Sequence, residues 1–399
     1  MSLARISRKN NMKDGMTHWE RFRAVMAGRP ADRLPRVEWA QWWNETIDRW
    51  RQEGLPVKDN DLWALSKYWG LDYYHKLRLC PLQGGPQPAH HGAGVLEDID
   101  GYTAHLQYLY ADAAEDDLAD WATWQRRQDQ NEALVWCEID GFFWFPRTLL
   151  GIENHLYAFY DQPDLIHRIN RDATNYYLRA LERMADVARP AYVHVLEDMS
   201  YNNGPMLSRE LFDQFLAPYY RRLIPAIKDM LGSLVFVDSD GRVEEVVPWL
   251  RDVGVDGVLP LERHAGVDGM SMRRAHPELG MIGHFDKMTM PLGENAMRGE
   301  FERLRPLIRS GRFIPSVDHQ TPPGVSMADY RVYRRLLDEY TGASFASPVG
   351  AVWRCWRATG RSKDAKARLW GQSGFCTALK FCLFVSKCRF RGRGPRSAC

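Results

Sequence analysis

Two aspartates two positions apart, Asp238-Ser239-Asp240, close a short apolar run at 234–237 that reads as a strand. On a continued pleat residues i and i+2 point the same way, so this spacing presents two carboxylates to one place. Acids end other short runs as well: Glu38, then Glu138 and Asp140, Glu197 and Asp198, Glu262, Asp286, and Asp318 followed by His319. Carboxylates gathered at one opening repel one another unless protons, a metal or a cationic group compensates. The chemistry on offer is acid/base work by Glu197, Asp238, Asp240, Glu262 and His319. Alternatively, Asp238, Asp240 and His319 hold zinc or another divalent metal. Substrate contacts are expected from Asp198 and Asp286, and from Trp39, Trp43 and Phe143 as an aromatic wall for a flat or apolar ligand. A plainer reading makes Asp240-Gly241 a turn, Asp198 and Asp318 loop caps, and the aromatic clusters core. His194 and the His90-His91 pair read as satisfied core or surface positions.

Elements that alternate along the chain must position these residues. Thr17-His18-Trp19-Glu20 is a capping box, and Gly28 closes the short helix that follows. An extended stretch at 35–39 leads into a Trp-rich helix toward Gln52. Pro163 suits the first turn of a helix over 164–188. Further helices are expected at 208–230, 242–252 and 294–309, with strands at 191–196, 234–237, 257–261, 281–285 and 313–317. Ser326-x-x-Asp329 caps a last helix ending near Tyr340. Apolar strands alternating with amphipathic helices imply a parallel sheet. The repeat length favours one α/β domain, a (β/α)₈ TIM barrel over 16–340 with an N-terminal helical segment. A β-hairpin insertion is expected at 94–110, turning at Asp100-Gly101. In such a barrel the strand C-termini converge on one mouth, where chemistry resides. No G-x-G-x-x-G follows a strand and no G-x-x-x-x-G-K-[ST] occurs, which disfavours dinucleotide and P-loop sites.

The 399 residues carry 53 Lys+Arg against 51 Asp+Glu, a balance that conceals a split. Residues 341–399 hold 12 basic residues and one acid, Asp364, while the preceding 340 hold 41 basic and 50 acidic residues. Cysteines divide the same way: Cys80 and Cys137 stand in the body, and five crowd the tail. Two scattered cysteines imply a reducing compartment without a disulfide framework. The tail is read as an unstructured extension or the product of a shifted reading frame, over a basic nucleic-acid arm or a zinc module. Its cysteines lack the paired C-x-x-C that structural zinc prefers. Residues 1–15 read as a disordered extension with no secretory signal. No apolar run reaches the ~20 residues needed to span a bilayer. A cytoplasmic protein is expected, with a small-molecule substrate, no nucleic-acid or membrane partner, and a homodimer as the oligomer to test.

The stretches MTHWERFRAVMAGRPADRLPRVEW, LEDMSYNNGPMLSRELFDQFLAPYYRRLI, VFVDSDGRVEEVVPWLRDVGVDGVLPLE, IGHFDK and GRFIPSVDHQTPPGVSMADYRVYRRLLDEY together resemble the uroporphyrinogen decarboxylase superfamily. The resemblance implies a (β/α)₈ barrel acting either as a decarboxylase or as a methyltransferase working with cobalamin or a corrinoid protein. The decarboxylases' R-Q-A-G-R motif has no counterpart in Val37-Glu38-Trp39-Ala40-Gln41-Trp42-Trp43. Without those arginines an octa-carboxylate porphyrinogen has no obvious partner here. The aspartate that family carries at the second strand end has no clear match in Tyr73–Cys80. The methyltransferases hold zinc through H-x-C and a later Cys; here Asp238-Ser239-Asp240 and His319 occupy the similar positions, replacing N/S/S donors by O/O/N. Methyl transfer between a small methylated substrate and a corrinoid is the leading expectation. The alternatives are decarboxylation of a tetrapyrrole or smaller carboxylated substrate and, in another class, a non-catalytic ligand-binding barrel.

Overall fold

Short runs of aliphatic, β-branched and aromatic residues pair side by side in parallel, separated by helices that cross back over the sheet. The strands are β1 (Tyr74–Leu79), β2 (Leu134–Asp140), β3 (Tyr192–Leu196), a two-residue hairpin of β4 (Ser200–Tyr201) and β5 (Gly204–Pro205), then β6 (Leu234–Asp238), β7 (Gly257–Leu259), β8 (Gly280–Phe285) and β9 (Phe313–Val317). The sheet order is β1-β2-β3-β6-β7-β8-β9, every pairing parallel. The computed structural model describes residues 15–90 and 92–342. The expectations for the N-terminal extension up to residue 14, for His91 and for the tail beyond residue 342 lie outside the described residues.

The sheet is curled, and one ring demonstrates it. Phe22, on the helix His18–Met26, lies 5.2 Å from Tyr192 on β3, 6.2 Å from Tyr74 on β1 and 6.4 Å from Phe236 on β6. Strands that are not neighbours meet one side chain only on a concave face, so Phe22 plugs the N-terminal end of a TIM-barrel-like fold. The capping box expected at Thr17 fixes that helix, with the Thr17 side chain on the Glu20 amide and the Glu20 carboxylate on the Thr17 amide. The convex face of β1 and β2 packs Leu77, Leu79, Cys137 and Ile139, all buried, under the helices.

The eighth stave is not a ladder strand. Residues 34–38 run extended between the two sheet edges, and Arg36 O accepts the Asp72 amide at 2.8 Å. On the β9 side the bonds come from side chains: Ser316 Oγ donates to Glu38 at 3.0 Å and the Trp39 indole donates to Val317 O at 2.7 Å. Described residues thus give a seven-stranded parallel sheet completed by an extended segment.

Three local expectations are corrected. Residues 94–110 form no hairpin: Asp98 caps a helix Ile99–His105 by accepting the Gly101 amide at 2.8 Å, so Asp100-Gly101 lies in a first helical turn. The helix expected over 208–230 breaks into Arg209–Phe215 and Ala217–Leu231, because Pro218 has no N–H to continue the first one. The helix after β6 starts only at Val246, since Gly241 turns the chain at φ +77° first. There a β-carbon would meet the Tyr201 backbone at 2.4 Å, so only glycine fits under the β4–β5 hairpin. The remaining helices and strands match their expected places within a few residues. Among the described residues no helix is long and apolar enough to cross a membrane.

Candidate active site

The inner face of the sheet changes character from bottom to top. Along β1 it carries Tyr74, Lys76 and Arg78; along β2, Trp136, Glu138 and Asp140; along β3, Tyr192 and His194; along β6, Phe236 and Asp238. Aromatic rings fill the lower end around Phe22, and charged groups fill the C-terminal end. Asp238 is the last residue of β6 and is largely buried. Its Oδ2 lies 2.9 Å from His194 Nε2. The imidazole is itself buried and stacks on Trp136 at 5.0 Å, with Trp39 6.5 Å away. The Asp238 carbonyl also accepts the amides of Glu197 and Asp198, at 2.9 and 3.0 Å, which draws the β3 and β6 ends together.

Asp240 stands two residues beyond, at the rim. His319 Nε2 is 3.8 Å from its Oδ2, and both side chains are partly exposed. Glu262, beyond β7, accepts the Gly241 amide at 2.9 Å. Burial, then the negative charges of Asp238, Glu262 and Asp198, push Asp240 up to about 8, with Lys287 opposing. The charges of acids from three strand ends therefore strengthen the hold of one rim carboxyl on its proton.

The metal expectation does not fit this arrangement. Asp238 is bonded to His194, His319 is paired with Asp240, and among the described residues no three His, Cys, Asp or Glu side chains converge as a metal-holding group. The expected O/O/N set of Asp238, Asp240 and His319 is thus not assembled among the described residues.

The other expected residues take varied places. Glu197 is completely buried and accepts the backbone amides of Phe142, Phe143 and Trp144 at 2.8–3.0 Å, together with the Tyr220 hydroxyl. Burial pushes it up to about 7. It anchors the turn after β2 and has no surface on which to exchange protons with a substrate. Phe143 is corrected in the same way: it is 0% exposed and packs against His155 and Phe159, so it is core and not a ligand wall. Glu38 faces outward under the helix Met327–Thr341, bonded to Tyr330 Oη at 2.9 Å. Trp43 is 44% exposed and lines a cleft of about 410 Å³ with Asn44, Asn60 and Gln320. Asp286 caps the turn Lys287–Leu292 and lies 3.3 Å from His264, while the fully buried Asp318 pairs with Lys287 at 3.1 Å. Asp198 is held by Arg147 at 3.1 Å. Trp39 is half-buried at the edge of the mouth.

Sequence reasoning read His194 as a satisfied core or surface position, and passed over Lys76, Arg78, Arg147 and Lys287. His194 was visible as a histidine at an inward pleat position, two before Leu196 and aligned with Glu138. The alternation of Lys76 and Arg78 inside the apolar strand Tyr74–Leu79 was a further signal, since a charge inside a strand demands a partner or an opening.

Comparison with known proteins agrees with this architecture. Residues 146–340 match the family model described as Uroporphyrinogen decarboxylase (URO-D). That bears out the resemblance over the part of the chain holding β3 through the last helix. No curated protein matches the chain. Among solved structures, a methyltransferase from Methanosarcina mazei superposes with a TM-score of 0.58 at 14% identity, covering 82% of this chain and 99% of that one. An endo-glycoceramidase II from Rhodococcus sp. gives 0.41 at 12% identity, over 77% and 79% of the two chains. The likeness to the methyltransferase is one of fold.

Proposed function

Taking residues 146–340 as a uroporphyrinogen decarboxylase-family barrel, we propose that this protein is an enzyme that removes a methyl group from a small methylated molecule and delivers it to a corrinoid. The observation that carries the reading is the convergence on Asp240: Asp238, Glu262 and Asp198 around it, and His319 at 3.8 Å. A methyl group bound to oxygen or nitrogen leaves poorly as long as the heteroatom must depart as an anion. Proton delivery to that atom lowers the barrier, and a carboxylic acid kept protonated at neutral pH is suited to deliver it.

In the reaction the donor's heteroatom sits against Asp240. The carbon–heteroatom bond breaks with its electrons left on the heteroatom, and a reduced corrinoid as acceptor would supply the electron pair for the new bond to the methyl group. The Asp240 proton passes to the departing heteroatom, and His319 is placed to return a proton to Asp240 from solvent. His194 holds Asp238 in place beside the acid, and Asp238 is among the groups that strengthen the hold of Asp240 on its proton. The corrinoid enters as a co-substrate on a separate carrier protein.

The superfamily likeness supports the reading, and the missing R-Q-A-G-R arginines argue against an octa-carboxylate porphyrinogen as substrate. The test is spectroscopic: the protein mixed with cob(I)alamin and a panel of methoxylated and N-methylated compounds. Formation of methylcobalamin with at least one donor, lost in Asp240→Asn, is the expected result. Carbon dioxide release from a carboxylated substrate with no methylcobalamin from any donor would replace this reading by decarboxylation.

A further inference from the structure

The β1–β2 sector of the mouth carries cations paired with its acids, unlike the ends of β6 and β7. Glu138 and Asp140 are buried, with side chains 9% and 6% exposed, while the cations above them are open, Arg78 at 37% and Lys76 at 43%. The Arg78 guanidinium is bound at both ends, through Nη1 to Glu138 and through Nη2 to Asp140 Oδ1 at 2.8 Å. Lys76 Nζ lies 3.2 Å from Glu138 Oε1 and 5.9 Å from the centre of the Trp136 ring. Buried carboxylates thus act as a floor that holds two bases rigid. Arginine has five N–H donors and an ammonium has three, so donors remain free toward the opening after these bonds are made.

We propose that Lys76 and Arg78 form a carboxylate-binding subsite that orients the methyl donor, so that the substrate is a methylated compound bearing an acid group at its other end. A guanidinium already fixed in place loses little freedom on binding a second carboxylate, and a charge-assisted bond to it is among the stronger polar contacts available. Arg78 and Asp238 stand on strands three positions apart in the sheet order, about 14 Å along the sheet at the ~4.8 Å spacing and less across the curl. A para-substituted benzoate comes closer to that span than a short aliphatic acid does, and the Trp136 and Trp39 rings stand near His194. The subsite lies on β1, where sequence comparison offered no match to the family's aspartate.

The proposal rests on the mouth being the reaction site, but its test does not require turnover. Calorimetric titration of the full chain compares benzoate, 4-methoxybenzoate and methoxyacetate with the uncharged 4-methoxybenzyl alcohol and 2-methoxyethanol. The acids are expected to bind about tenfold or more tighter than their alcohols. Lys76→Gln and Arg78→Gln should each remove that preference while leaving alcohol binding unchanged, and Arg78→Lys should retain part of it. Because Arg78→Gln strips two buried carboxylates of a partner, Lys76→Gln provides the reading if that variant does not fold. Equal affinity for acids and alcohols, equal weakening of both in Lys76→Gln, or no binding of any acid overturns the subsite. Acid binding without methylcobalamin formation would instead sink the reaction while leaving the subsite standing.

Discussion

His194 Nε2 lies 2.9 Å from Asp238 Oδ2, joining the middle of β3 to the end of β6 beneath the mouth. This single contact decides three things at once. It fixes a carboxylate beside Asp240, it occupies one oxygen of that carboxylate, and it makes an inward-facing core histidine part of the site.

Replacing His194 tests the contact directly. His194→Ala leaves Asp238 buried without its partner and should cost about 1–3 kcal/mol in urea denaturation. A smaller loss than Ala produces at an ordinary surface position would show that the contact contributes nothing.

In the proposed reaction the acid at the rim sets an alkaline limit on activity. Asp240 must be protonated to act, and it holds its proton up to about 8. Activity should stay level below that pH and fall above it. Asp238→Asn or Glu262→Gln removes a like charge, lowers the proton affinity of Asp240 and moves the fall to lower pH. Asp240→Asn should lose on the order of 10²- to 10⁴-fold in kcat. A pH–rate profile that Glu262→Gln does not move would contradict this electrostatic picture.

Metal analysis separates proton-assisted from metal-assisted chemistry. With Asp238 bound to His194, the purified protein is expected to retain less than stoichiometric zinc, and prolonged treatment with a chelator should leave methyl transfer intact. One tightly held zinc per chain, lost together with activity, would refute it.

Glu197 is expected to behave as a structural residue. Glu197→Ala strands three backbone amides and the Tyr220 hydroxyl in a sealed site, where each unmet donor costs about 1–3 kcal/mol. Thermal unfolding should register a large loss. Gly141→Ala should do likewise, because its β-carbon would stand 2.2 Å from Glu197 Cδ. A stable but inactive Glu197→Ala protein would restore a direct role in chemistry.

Acid should destabilise the fold through His155. Its ring is completely buried against Phe143 and Phe159, neither nitrogen has a partner, and burial, then Arg147, lower it to about 3. The unfolded chain binds the proton at about 6.5, so stability is full above that pH and is lost as pH falls toward 3. Between pH 7.5 and pH 5 the loss is about 2 kcal/mol from this residue. Denaturation of wild type and His155→Phe at both values isolates it, since the variant should lose less by that amount.

Periodicity, capping boxes and the acids at strand ends were enough to announce an alternating α/β barrel with a charged mouth. These are local signals, written within a few residues of one another: Thr17 to Glu20, Pro163 ahead of an amphipathic run, Asp238 two before Asp240. Sequence could not rank the acids, because a carboxylate's role depends on what distant segments bring to it. Glu197 and Asp198 are adjacent, yet one is sealed beneath three amides donated from 142–144 and the other faces Arg147. Glu38 and Asp238 both end extended segments, yet one points outward to Tyr330 and the other inward to His194. The inner and outer faces of a curled sheet differ by a single residue of register. Only the tertiary packing of helix against strand decides which face a side chain shows.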